Sequence, residues 1–208
     1  MDNNAILRSL RFALRLQDED VMRLFRLGGW ELSLEATQAR MGREGEPGAV
    51  YCVDDALGAF LDGLVLDRRG PPPADRPPPP PVPLTNNEVL KKIRVALELK
   101  ESDVVTALAL ADMRLSKGEV RALFRSPAHP NHRQAGDQLL RRFLRGLTLR
   151  LRPGVEGPDP GPEGPPARRC GPGRPGGPGS GPGRGGPRGV EPGRRGPQRR
   201  ASARSRDS

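Results

Sequence analysis

Aromatic residues are scarce in this chain: one Trp, one Tyr and five Phe among 208 residues. Histidine and cysteine are scarcer still, with two of each. Cys52 and Cys170 are too few for a disulfide framework and read as unpaired thiols of a reducing cytoplasm. His129 and His132, in HPNH, offer two ligands with no nearby Cys or second pair, so no metal is expected. A Ser-His or Cys-His nucleophile would have to bring Cys52 or a Ser to that one loop. No stretch approaches ~18 continuous apolar residues, so no membrane span is expected. Asp2, Arg8, Arg11 and Arg15 interrupt the first apolar stretch, which does not resemble a signal peptide. Period-two alternation is missing, so no strand is expected. Gly28–Gly29 lack a surrounding G-x-x-x-x-G-K and make no phosphate loop. Asp54, Asp55, Asp62 and Asp67 read as a solvated helix face, because acid–base work needs a pocket. Trp30 and Tyr51 read as core or loop packing. No cofactor and no enzymatic activity is expected.

What the chain has instead is one stretch used twice. Residues 3–16 read NNAILRSLRFALRL and residues 85–99 read TNNEVLKKIRVALEL. Shifted by 83 positions, residues 3–70 align without a gap to the second copy, with 22 identities. Asn3/Asn86, Asn4/Asn87, Ser33/Ser116, Pro47/Pro130 and Gly63/Gly146 are among them.

Helical periodicity runs through both copies. Ile6, Leu7, Leu10, Ala13 and Leu14 form one apolar stripe, repeated by Val89, Leu90, Ile93, Ala96 and Leu97. Thr85 and Glu88 make a capping box, and Asp2, Asn3 or Asn4 is expected to cap the first helix. A second helix carries Val21, Leu24, Phe25 and Leu27, then Val104, Val105, Leu108 and Leu110, with Gly28–Gly29 as its stop in copy one. Ser33 and Ser116 are N-caps for a short third helix, bearing Ala36 and Ala39 or Val120, Leu123 and Phe124. The fourth helix, about 53–68 and 136–151, carries Leu57, Phe60, Leu61 and Leu64, then Leu140, Phe143, Leu144 and Leu147. Gly63 and Gly146 lie inside it, where Gly costs ~1 kcal/mol relative to Ala. Their recurrence predicts close approach of a neighbouring backbone; chance retention after duplication is the alternative.

The expected architecture is all-α: two similar four-helix, helix-turn-helix-like modules, residues 1–69 and 84–153, packed as a pseudo-symmetric pair. Residues 70–83, with a run of five prolines, form an extended spacer. Residues 154–208 hold 28 Gly or Pro and no apolar period, so this tail is expected to be disordered. A read-through or misframed extension is the alternative for it.

The motifs NNAILRSLRFALRLQDEDV, LTNNEVLKKIRVALELKESDV, LSKGEVRALFRSPAHPNHRQAGDQLLRRFLRGL and AFLDGL recur in order. On them the chain resembles the YehS-like family of uncharacterised bacterial proteins, in which a domain of unknown function is duplicated. The resemblance spans residues 1–69 and 84–153 and implies the duplicated helical fold; it carries over no activity. Copy one departs from the pattern at EATQARMGRE, which has fewer large apolar residues.

Charge is divided unevenly. Residues 1–70 carry 9 Lys/Arg against 12 Asp/Glu, residues 85–153 carry 14 against 7, and the tail carries 11 Arg against 5 acids. The basic half suits a polyanion. Residues 103–125 read as a helix-turn-helix, with Arg114, Lys117, Arg121 and Arg125 near its second helix. Arg141, Arg142 and Arg145 on the last helix extend that set; a solvated cationic face is the plainer alternative. The expected function is therefore a non-enzymatic cytoplasmic binding protein that contacts DNA or RNA through copy two and the tail. The alternative is a protein–protein adaptor or homodimer that pairs acidic copy one with basic copy two.

Overall fold

The computed structural model describes residues 1–43, 45–73, 75 and 82–155. Residues 76–81 of the proline spacer and the tail from 156 onward lie outside the described residues, as does the disorder expected of the tail. The chain divides into a compact unit, Met1–Pro166, and a second, Ala167–Ser208, that is not described.

Eight helices and no strand occur among the described residues. Repeat one supplies α1 (Asn3–Leu14), α2 (Asp18–Leu27), α3 (Leu34–Met41) and α4 (Asp54–Arg69). Repeat two supplies α5 (Asn86–Ala96), α6 (Glu101–Leu110), α7 (Lys117–Leu123) and α8 (Asp137–Leu151). The caps follow the sequence. Asp2 accepts from the Ala5 amide at 2.6 Å, Thr85 from Glu88 at 3.3 Å and Ser33 from Ala36 at 3.2 Å. Ser116 and Glu119 close a full box, with amide donors 3.2 and 2.9 Å from the Ser Oγ and the Glu carboxylate. The acids in the third helical position of α2 and α6 cap backward, Asp20 onto the Gln17 amide and Asp103 onto the Lys100 amide.

The apolar stripes form one core across both repeats. Leu7, Leu10, Phe25, Phe60, Leu90, Ile93, Leu108 and Phe143 are all within 1 % of full burial. Leu27 and Leu110 fall at matched positions but stay 44 % and 46 % exposed, beyond the edge of that core. In α3 the buried residue is Thr37, whose hydroxyl donates to the Ser33 carbonyl at 2.9 Å, rather than Ala36 or Ala39. Val120 takes the same place in α7. A satisfied hydroxyl on a two-turn helix thus replaces the large apolar residue that copy one lacks.

Helix pairing crosses between the repeats. α2 packs on α4 and α6 on α8 within each repeat, but α1 lies mainly along α8 and α5 along α4. The crossed pairs run parallel. The Met1 amino group meets Asp137 at the start of α8, and Arg152 at its end donates to the Phe12 carbonyl at 3.0 Å. Across α4 and α5, Asp62 meets Lys92 and Arg69 meets Glu98 in the same sense. The pseudo-symmetric pair is thus interlocked.

Two backbone approaches make these packings tight. A Cβ at Gly63 would fall 1.8 Å from the Leu24 carbonyl oxygen, and one at Gly146 would fall 1.6 Å from that of Ala107. Gly28 faces α4 in the same way, 1.9 Å from the Ala59 oxygen. At the fourth-helix position, Gly63 and Gly146, both copies keep glycine because the helix axes leave no room for a methyl group.

Each α1-type helix is fastened to its own repeat by a pair of asparagines inside its first turn. Asn4 donates to the Val50 carbonyl at 2.9 Å and to Gly42 at 3.3 Å, and accepts from the Cys52 amide at 2.8 Å. Asn87 repeats the pattern on Leu123, Arg133 and Ala135 at 2.7, 2.9 and 2.8 Å. Asn3 and Asn86 bridge to Asp54 and Asp137, the first residues of α4 and α8. Asp2 is the cap of α1, so these asparagines serve as tertiary ties and not as caps.

Cys52 sits in that tied loop, fully buried, and burial pushes its thiol up to about 11. We expect Cys52 in the native chain to resist alkylation at neutral pH and to react once urea unfolds it. Peptide-level mass spectrometry separates it from Cys170; rapid native labelling of Cys52 would contradict the burial.

Candidate nucleic-acid interface

The seven basic residues singled out in repeat two are carried by α7 and α8, by the turn between α6 and α7, and by the segment just past α7. That turn runs from Ala111 to Ser116, and Arg114 on it is exposed. Lys117 opens α7 and Arg121 follows one turn later, so both lie on one side of that helix. Both are exposed. Arg125, just beyond α7, is half-buried. On α8 Arg145 is exposed, while Arg141 and Arg142 are half-buried. Arg142 donates to the Ala111 carbonyl at 3.0 Å, which brings the middle of α8 against the turn that bears Arg114.

Not every charge in the set is available. Arg121 Nε donates to Glu101 at 2.7 Å, and both are near the surface. Glu119 accepts from Arg133 at 3.0 Å. The Ser116 amide and hydroxyl, and then Arg133, hold the Glu119 carboxyl below its ordinary range, so an anion persists beside Lys117. Arg141 and Arg145 also have partners. Arg114, Lys117 and Arg125 make no ion pair with a described residue.

α7 has seven residues and the turn before it has six. A recognition helix usually follows a turn of three or four residues. At 1.5 Å per residue α7 is only about 10 Å long. Its chemistry suits phosphate contact better than base reading.

The duplication supplies an internal control. The matched residues of repeat one are Glu31, Leu34, Gln38, Gly42, Gly58, Ala59 and Asp62. None is basic, although that repeat adopts the same four helices. The fold therefore does not require a cation at any of the seven positions.

Other polar residues singled out in the sequence are occupied structurally. Asp54 accepts from Asn3 at 2.7 Å, Asp62 binds Lys92 and Asp67 binds Arg23. Repeat two inverts that last pair, with Arg150 on α8 donating to Asp103 on α6 at 2.8 Å. His129 Nδ1 accepts from the Asn131 amide at 3.0 Å and shapes its own loop. Trp30 packs against the core, whereas Tyr51 is 61 % exposed. Among the described residues no helix is long and apolar enough to cross a membrane.

The profile of the family described as "Protein of unknown function (DUF1456)" matches residues 3–70 and again 86–153. The "Uncharacterized protein YehS" of Escherichia coli (strain K12) is 39 % identical over 150 residues, covering 72 % of this chain and 96 % of that protein. No solved structure matches.

Proposed function

Since the chain belongs to the DUF1456 family, whose description assigns no function, the reading rests on its surface, and we propose that it is a non-enzymatic nucleic-acid-binding protein of the cytoplasm. The observation that carries this reading is the asymmetry of charge on a symmetric scaffold. Seven positions of repeat two are basic where repeat one, with the same helices, has none. Binding runs through phosphates, because Arg114 and Lys117 present exposed point charges and α7 is too short to read a groove. The arginine-rich tail adds contacts of the same generic kind.

The structure also refines which charges to test. Arg121 is held by Glu101, so reversing it would place two carboxylates together and disturb α6 against α7. Arg114→Glu with Lys117→Glu removes charge where no described partner is lost. We expect the full chain to bind a mixed-sequence duplex by fluorescence anisotropy, and to lose affinity steeply between about 50 and 200 mM salt. The double reversal is expected to weaken binding at least about tenfold and to flatten the salt slope by about one unit per lost contact. Arg26→Glu on repeat one is the control and leaves binding unchanged. Equal binding by the double reversal would reduce the interaction to the tail.

A second reading as an adaptor has its own support. Asp62–Lys92 pairs an acid of repeat one with a base of repeat two, although Arg69–Glu98 joins the repeats in the opposite sense. Those pairs are spent inside the chain, so a protein partner would have to use charges other than these.

A further inference from the structure

The crossed helix pairs end differently. At the end of α4, Arg69 forms an ion pair with Glu98, the residue just past α5 that adopts the left-handed conformation at φ 54°. Shifted by 83 positions, Arg69 becomes Arg152 and Glu98 becomes Arg15, which also lies at left-handed φ, 57°. At this second end the carboxylate is thus replaced by a guanidinium. What forms there is an open cleft of about 660 Å³, lined chiefly by Arg8, Arg11, Phe12, Arg15, Gln17 and Arg152.

Three of these guanidinium groups are fixed, two of them by neutral acceptors. Arg152 donates to the Phe12 carbonyl at 3.0 Å and lies 4.0 Å from the Phe12 ring centroid. Arg8 donates to the Gly42 carbonyl at 2.6 Å. Carbonyls orient a guanidinium without cancelling its charge. Only Arg11 meets a carboxylate, Asp18 at 2.6 Å, and Asp18 also accepts from Gln38. Asp20, the nearby cap of α2, is engaged by the Gln17 amide and by Arg23. The Arg15 side chain has no hydrogen-bond or ion-pair partner among the described residues and is exposed. The Nε groups of Arg11 and Arg152 are buried with no acceptor among the described residues. Such desolvated, like-charged groups are costly unless an anion offsets them. The other end of the same scaffold shows that a neutral solution is available.

We propose that this cleft binds the multiply charged phosphate group of a small molecule, with Arg15 and Arg152 as the two arms that reach it. Planar, preoriented guanidinium groups match phosphate oxygens in pairs. The site uses none of the residues assigned above to nucleic-acid contact, and it stands whether or not that reading holds.

Inorganic pyrophosphate is the probe, titrated calorimetrically into the full chain at constant ionic strength. The tail is then common to every variant. Arg15→Gly is the informative change, because glycine relieves the left-handed backbone while removing the charge. We expect its Tm to hold or rise and its pyrophosphate affinity to drop at least about tenfold, the value of one charge-assisted hydrogen bond. Arg152→Gln is expected to weaken binding equally, and Arg69→Gln at the mirrored end to leave it unchanged. No binding by the wild type, or equal binding by Arg15→Gly and Arg152→Gln, overturns the proposal. So does a pattern in which these two variants lose duplex DNA while the wild type ignores pyrophosphate, which would make the cleft part of a nucleic-acid surface.

Discussion

Replacing Gly146 by Ala is expected to destabilise the protein by about 3 kcal/mol or more, at the upper end of overpacking effects. The new Cβ would lie 1.6 Å from the Ala107 carbonyl oxygen and 2.4 Å from its carbon. Both obstacles are backbone, so no side chain can swing aside. α8 would have to move away from α6, and α1 lies along α8 and would move with it. Gly63→Ala makes the same clash with Leu24 in repeat one and is expected to behave alike. Gly58, also inside α4, has nothing within 4 Å of its would-be Cβ. There the usual helix preference acts alone, and Gly58→Ala is expected to stabilise by up to ~1 kcal/mol. Urea unfolding followed by circular dichroism measures all three. A Gly146→Ala midpoint at or above the wild-type value would show that the helices are not in contact there. Stabilities of this kind of domain are about 5–15 kcal/mol, so the predicted loss is a large fraction of the whole.

Asn4→Ala has the second large effect. The side chain satisfies the Val50 carbonyl and the Cys52 amide, in a loop far from it in sequence, and shares the Gly42 carbonyl with Arg8. Each buried group left unpaired costs about 1–3 kcal/mol. Water can reach some of them, and a net loss of about 3 kcal/mol is expected. Asn4→Asp separates this account from a simple loss of volume. A carboxylate still accepts from Cys52 but faces two carbonyl oxygens. At neutral pH it should be at least as destabilising as Ala. Those oxygens favour its protonated form, so its pKa in the folded state lies above the unfolded value near 3.9. Stability is then regained as pH falls through that raised pKa, and the gap between the Asp and Ala variants narrows in acid. A gap that is constant with pH would show that the carbonyl contacts are not made.

How legible this was depended on distance along the chain. The Ser33 and Ser116 caps and both glycine approaches could be read because their signals are local or appear twice. Asn3 and Asn4 stood beside Asp2 as cap candidates, since Asn at a helix start is a common cap. Their actual partners lie 38–51 residues away, and no local pattern announces them. Composition exposed the charge of repeat two but not its pairing. That Arg121 is spent on Glu101 and Arg142 on Ala111 depends on how α6 meets α7 and α8. The arginine cleft was missed because Arg152 and Phe12 are separated by 140 residues. A signal did exist: in the internal alignment Arg69 and Arg152 agree while Glu98 and Arg15 have opposite charge.

The crossed pairing also bears on how the protein is made. During synthesis α1 emerges well before its main partner, α8, which closes only at Leu151. Until then the apolar stripe of Ile6, Leu7, Leu10 and Ala13 has little of its own repeat to lie against. The spacer therefore joins two halves of one folding unit rather than two finished domains. Contacts of such long sequence separation slow folding and lengthen the exposure of nascent apolar surface. A ribosome stalled before α8 would carry a chain whose first helix is still without its seat.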